Sequence, residues 1–208
     1  TNTLADLDGL GTISYQWKAD GANISGATSS TLTLGQAQVG KAISVVAGYT
    51  DLLGTAEAIA STATTAVVNV NDSPTGSVTI TGTATQGQTL TAANTLADLD
   101  GLGTISYQWK ADGTNISGAT SSTLTLGQAQ VGKAISVVAS YTDLFGAAEV
   151  VASTATTAVA NVNDSPTGSI TFTGTATQGQ TLTAGNTLAD LDGLGIISYQ
   201  WKADGANI

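Results

Sequence analysis

The chain has 208 residues, with 5 cationic side chains, all Lys, against 15 acidic ones, for a formal net charge of −10, and it contains no Arg, His, Cys or Met. That composition excludes hydrolases built on a His base, zinc sites made from Cys and His, and disulfide frameworks. An acidic chain without Arg also lacks the cationic face that nucleic acid requires, so what remains is carboxylate chemistry, and 13 of the 15 acids are Asp.

Taken in chain order, the first motif is Asn-Thr-Leu-Ala-Asp-Leu-Asp-Gly-Leu-Gly from Asn2, which recurs from Asn94 and Asn186 with a period of 92 residues. Residues 2–93 and 94–185 differ at 10 of 92 positions, each exchange involves small or apolar residues, and none touches an acid. A period of that length matches one small domain rather than a solenoid unit. Asn-Asp-Ser-Pro-Thr-Gly at 71–76 and 163–168 contains both prolines. Pro removes a backbone donor and holds the preceding residue extended, as a short stiff linker requires. These boundaries divide the chain into a partial repeat at 1–73 lacking its first strands, a complete repeat at 74–165, and a partial repeat at 166–208 with first strands only.

Within the complete repeat, 77–83 alternates Val78 and Ile80 with Thr79 and Thr81, predicting a strand, and 88–92 predicts a second. An Asp/Gly-rich loop follows at 96–103. The third strand, 105–110, places Ile105, Tyr107 and Trp109 on one face and Ser106 and Gln108 on the other. Asp112-Gly113 predicts a turn, 122–126 a strand, 128–132 a turn, 134–142 a strand, 143–146 a hairpin, and 148–162 the last strand. No helical period of useful length is present, so the fold class is all-β. The core is expected to rest on Trp109 packed against Val137, Leu126 and Ile80. The Trp residues are read as core anchors rather than sugar platforms, and Lys18, Lys41, Lys110 and Lys133 as solvated.

Tyr-Gln-Trp on the third strand, Ala-Gln-Val-Gly-Lys ahead of the penultimate one, Tyr-Thr-Asp after it, and the Asn-Asp-Ser-Pro-Thr-Gly linker resemble bacterial immunoglobulin-like repeats. The resemblance covers the whole chain. Such repeats occur in tandem in giant secreted surface proteins, including adhesins exported by type I secretion. It implies tandem immunoglobulin-like β-sandwiches joined by short Pro-containing linkers, an extracellular location, and neighbouring repeats as partners. The antibody-type cysteine pair is missing. The Asn-Asp-x-Pro linker is also similar to cadherin-type junctions, which hold calcium between consecutive domains.

Immunoglobulin topology brings the linker to the pole that carries the 96–103 and 143–146 loops. Converging carboxylates repel unless a cation neutralises them, and calcium accepts six to eight oxygens at about 2.3–2.6 Å in irregular loop geometry. The expected site is Asn71, Asp72, Asp98, Asp100 and Asp143. A second would use Asn163, Asp164, Asp190 and Asp192, and Asp6, Asp8 and Asp51 form the same set in the first repeat. Glu57 and Glu149 are supplementary candidates. The competing reading is that Asp in Asp-Leu-Asp-Gly bonds its own backbone as a turn former; Asp98-Leu-Asp-Gly101 is not an EF-hand, because the twelfth position is Trp109. Asp20, Asp112 and Asp204 are read as turn formers at the opposite pole. Turn-borne acids without an evident cleft do not suit a glycosidase, so no enzymatic activity is expected.

The functional expectation is an array of extender domains in an extracellular adhesin or surface fibre, with calcium-rigidified junctions. Two alternatives come from other classes: a filament or sheath that assembles laterally or head to tail from identical chains, with strand donation as one route, and a carbohydrate- or protein-binding module.

Overall fold

The computed structural model describes residues 3–208. The protein is all-β, built from antiparallel sheets in a β-sandwich arrangement. No helix among the described residues is long and apolar enough to cross a membrane. The contacts divide into two compact units, one containing residues through Thr75 together with Ala97–Gly103 and Thr142–Glu149, the other the remainder.

In the first unit, β1 (Ser14–Ala19), β2 (Ala22–Asn23), β3 (Ile43–Thr50) and β4 (Ala56–Ala60) form a sheet in the order β2-β1-β3-β4. β1 and β3 pair from Ser14↔Gly48 to Ala19↔Ile43, and alternation along β3 buries Ile43, Ala47 and Tyr49. Asp20-Gly21 is a two-residue hairpin loop with φ of +47° and +81°, the left-handed pair of a type I′ turn. Asp20 is therefore a turn former, and its Oδ1 also accepts the Ala42 N–H at 2.9 Å.

The second unit holds β5 (Val78–Thr81), β6 (Thr89–Asn94), β7 (Ser106–Ala111), β8 (Thr114–Asn115) and β9 (Thr123–Thr125), and most of β10 (Ile135–Thr142) and β11 (Ala148–Ala152). It continues with β12 (Ile170–Thr173), β13 (Thr183–Asn186), β14 (Lys202–Ala203) and β15 (Ala206–Asn207). One sheet runs β5-β6-β9 and another β11-β10-β7-β8. Between them lies a core of Val78, Leu90, Leu126, Trp109, Ile135, Val137 and Val159. Trp109 is fully buried, with its Nε1–H donating to the Ser121 carbonyl at 2.8 Å, as a core anchor requires. Ile105 and Tyr107 pack against this core, on the face that the alternation assigns.

The last strand expected at 148–162 is interrupted. β11 ends at Ala152, and isolated bridges at Ala158, Val159 and Ala160 follow. The Ser153 hydroxyl accepts the Val137 N–H and the Thr156 hydroxyl accepts the Ile135 N–H, at 3.0 and 3.1 Å. Side chains thus replace backbone carbonyls in the ladder, an intervention that β-propensity does not foresee. The turn expected at 128–132 opens with a short 3₁₀ segment, Gln128–Gln130, matched in the first unit by Gln36–Gln38.

Candidate metal centre and carboxylate latches

The 97–103 loop is shaped by its own acids. Asp98 Oδ1 accepts the Asp100 N–H at 2.8 Å, an Asx turn of the kind expected of Asp-Leu-Asp-Gly. Gly101 lies at φ +90°, and a Cβ there would strike the Leu144 side chain, so this position needs Gly. Asp143 organises the facing loop. Its Oδ1 accepts the N–H groups of Phe145 and Ala147, both at 2.8 Å. The Leu144 N–H donates to the Asp100 carbonyl at 3.3 Å and ties the two loops together.

These loops bring Asp98, Asp143 and Glu149 together, each offering a carboxylate oxygen within 4.8 Å of the others. Asp143 is 5% exposed, and its Oδ2 is buried without a hydrogen-bond partner. A buried carboxylate oxygen left unsatisfied is costly unless something of positive charge meets it. Glu149 is held from another direction, since its Oε1 accepts the Asn71 side-chain N–H at 2.7 Å. Three carboxylates and an adjacent amide form a hard, oxygen-rich set that fits a divalent cation such as calcium and offers nothing to soft metals.

Of the five residues expected at this site, Asp98 and Asp143 lie in the carboxylate group and Asn71 touches it through Glu149. Asp100 and Asp72 do something else. Asp100, 2% exposed, accepts the Gln36 Nε2–H on Oδ1 at 2.8 Å and the Asp72 backbone N–H on Oδ2 at 2.7 Å. Two neutral donors on one buried carboxylate make a latch, to which Asp72 contributes its backbone.

The latch recurs 92 residues later, within the second unit. Asp192 accepts the Asp164 N–H on Oδ2 at 2.8 Å and the Gln128 Nε2–H on Oδ1 at 3.3 Å. The Asp164 N–H is the main reason that the Asp192 carboxyl is held below its ordinary range, with the Asn161 and Gln128 side chains adding to it. Asp190 Oδ1 accepts the Asp192 N–H at 2.9 Å, repeating the Asx turn. The Asn163 side chain donates to the Asp164 carbonyl, and Asp164 Oδ2 accepts the Gln86 Nε2–H at 2.8 Å.

The third set, Asp6, Asp8 and Asp51, is engaged by its own protein. Asp6 takes the Asp8 N–H on Oδ1 at 2.9 Å and the Tyr49 hydroxyl on Oδ2 at 2.8 Å. That hydrogen bond to a carboxylate, reinforced by burial, pushes the Tyr49 phenol up to about 12. Asp51 Oδ1 accepts the N–H groups of Thr55 and Leu53, and these, Thr55 first, hold its carboxyl below the ordinary range. Among the described residues only Asp98, Asp143 and Glu149 form a group of three acids spaced for a metal.

Sequence reasoning missed Gln36 and Gln128 altogether. Each opens a 3₁₀ segment and reaches an acid 64 residues away, a distance at which no local periodicity carries a signal. No protein-family model matches the chain, and no curated protein is significantly similar to it.

Proposed function

We propose that the chain is a stretch of extender repeats from a bacterial extracellular adhesin or surface fibre, non-catalytic, in which each Asn-Asp-Ser-Pro segment is a stiffened joint. The observation that carries this reading is the recurrence, at a spacing of 92 residues, of the same two donors on the same loop acid: Gln36 and the Asp72 N–H on Asp100, then Gln128 and the Asp164 N–H on Asp192. An Asn-Asp-Ser-Pro segment that only connected two domains would have no reason to donate its backbone to a loop carboxylate, whereas a joint that must transmit force would.

Calcium is the cation of this proposal. It would lie among Asp98, Asp143 and Glu149, with the Asn71 side chain near Glu149, and neutralise three carboxylates that otherwise repel. A cation bound there ties the 97–103 loop, the 143–149 loop and Asn71 into one body. Secretion to a calcium-rich medium suits a chain with no Cys and a net charge of −10.

Calcium titration of thermal unfolding, paired with X-ray scattering, tests the reading. Binding to the folded state alone must stabilise it, by about 2.7 kcal/mol when calcium stands at a hundredfold its Kd. The expected outcome is a rise in Tm and a narrower distribution of dimensions in calcium than in chelator. Equal Tm and equal maximum dimension in the two conditions would remove calcium from the proposal.

A further inference from the structure

The complete repeat holds the segment that leaves it by parallel contacts. Residues 158–160 run between 84–86 on one side and 131–134 on the other, with parallel bridges Thr85↔Ala160 and Val131↔Val159. The Ala160 N–H donates to the Ala84 carbonyl at 2.8 Å, and the Gln86 N–H donates to the Ala160 carbonyl at 2.9 Å. On the other flank the Val159 N–H donates to the Lys133 carbonyl and the Gly132 N–H to the Val159 carbonyl, both at 2.9 Å. Val159 is 2% exposed and anchors the segment in the core.

Direction matters here, because 84–86 lies on the entry side of the repeat and 158–162 on the exit side. Tension between the two ends draws 84–86 back towards the entry and 158–162 forward towards the exit. Parallel segments pulled in that sense slide along each other, so all their hydrogen bonds carry the load together. An antiparallel hairpin pulled at its free ends opens one bond at a time. Beyond the backbone pairing, the half-buried Gln86 side chain extends the contact. Its Oε1 accepts the Val162 N–H at 3.1 Å, and its Nε2–H donates to Asp164 Oδ2 at 2.8 Å. The bond to Asp164 is charge-assisted and stronger than a neutral one. Asp164 also gives its backbone N–H to Asp192 at 2.8 Å. One linker residue is thus fastened backwards by its carboxylate and forwards by its N–H.

We infer that Gln86 locks a tension-bearing clamp, fastening residues 162–164 to the 84–86 segment so that force along the chain is resisted in shear. Asp164 is the node that hands tension from the complete repeat to the loop of the next. The inference deepens the extender reading, on which its use in the cell rests. The clamp involves no cation and is measured in chelator, so it can fail while the calcium reading stands, and the reverse.

The chain has no Cys, so Ser73→Cys and Ser165→Cys, exposed linker positions 92 residues apart, take force-spectroscopy handles without background. Unfolding between them releases on the order of 30 nm of chain, which marks the event as the complete repeat. At the same constant force, Gln86→Leu should unfold roughly 10- to 100-fold faster than the parent, as loss of a hydrogen bond to a charged group implies. Thr156→Val is the control, since it removes the acceptor of the Ile135 N–H, behind the clamp. It should lower the urea midpoint and leave the rate under force close to the parent's. Gln86→Glu sets two carboxylates against each other and should weaken the clamp. Adding Asp164→Asn should restore it, because Asn then donates to Glu where Gln donated to Asp. A parental rate in Gln86→Leu, equal acceleration by Thr156→Val, or no recovery in the double variant overturns the proposal.

Discussion

Asp143 concentrates the chemistry of the site in one side chain. Its Oδ1 takes two backbone donors and shapes the loop, while Oδ2 is buried without a partner beside the carboxylates of Asp98 and Glu149. The two oxygens therefore have separable duties. Asp143→Asn keeps an oxygen able to accept from Phe145 and Ala147, and puts an amide where the unpaired oxygen stood. An amide NH₂ cannot ligate a cation, so the variant should fold with about the parent stability, within roughly 1 kcal/mol, and lose the calcium-dependent rise in Tm. Thermal unfolding in calcium and in chelator reads both effects at once. A full calcium response in Asp143→Asn would mean that the cation, if bound, lies elsewhere. Asp100 has the opposite character: both its oxygens are taken by protein donors, so its carboxylate is explained without any cation.

At the scale of elements, β3 couples the first unit's sheet to the loop ahead of β1. Tyr49, near the end of β3, donates to Asp6, and Asp51 directly beyond the strand folds its own loop by accepting from Thr55 and Leu53. Opposite pH windows follow. Tyr49 is raised from 10.0 to about 12 in the folded state, so its contribution is complete below pH 10 and is lost as pH rises towards 12. Asp51 is lowered from 3.8, so its contribution is present above that pH and is lost on further acidification. Urea midpoints against pH should fall in both windows, and Tyr49→Phe should flatten the alkaline fall alone; an unchanged alkaline limb would show that the Tyr49–Asp6 bond does not contribute to stability. Elements of this kind were partly legible in the sequence. Strict alternation in Ile105–Tyr107–Trp109 announces which face of β7 is buried, and Asp112-Gly113 announces a hairpin because two left-handed residues suit that dipeptide. The break between Ala152 and Ala158 was not legible, since it depends on where the Ser153 and Thr156 hydroxyls meet β10. Nor was the place of Glu149 in the acid group, which is fixed partly by Asn71, 78 residues distant. Pattern reveals period and turn chemistry; it is silent about side chains that meet only after the sheets have formed.

For the whole molecule the net charge of −10 takes on a particular meaning. It is one small acidic set copied every 92 residues, and its members divide between turns, latches and one candidate cation group. In the proposed joint, latch and cation are two independent means of holding the same Asn-Asp-Ser-Pro segment, and they separate by experiment. Gln36→Leu removes one of the two donors from Asp100 and leaves a 2%-exposed carboxylate oxygen unpaired, at a cost of about 1.5–3 kcal/mol for a hydrogen bond to a charged group. That cost does not depend on the cation, so the metal-free protein shows it in full. Urea unfolding in chelator should therefore show Gln36→Leu destabilised relative to the parent, and scattering in chelator should show a broader spread of dimensions. Adding calcium should restore much of the narrowing, because the Asp98–Asp143–Glu149 group is untouched by the substitution. Asp143→Asn should do the reverse: it should match the parent in chelator and fail to respond to calcium. A joint held by the cation alone would leave Gln36→Leu indistinguishable from the parent in chelator by both measurements. A joint held by the latch alone would leave calcium without effect on either variant. Only a joint with both restraints gives the crossed pattern, in which Gln36→Leu differs from the parent in chelator yet still responds to calcium, and Asp143→Asn matches the parent in chelator yet does not respond.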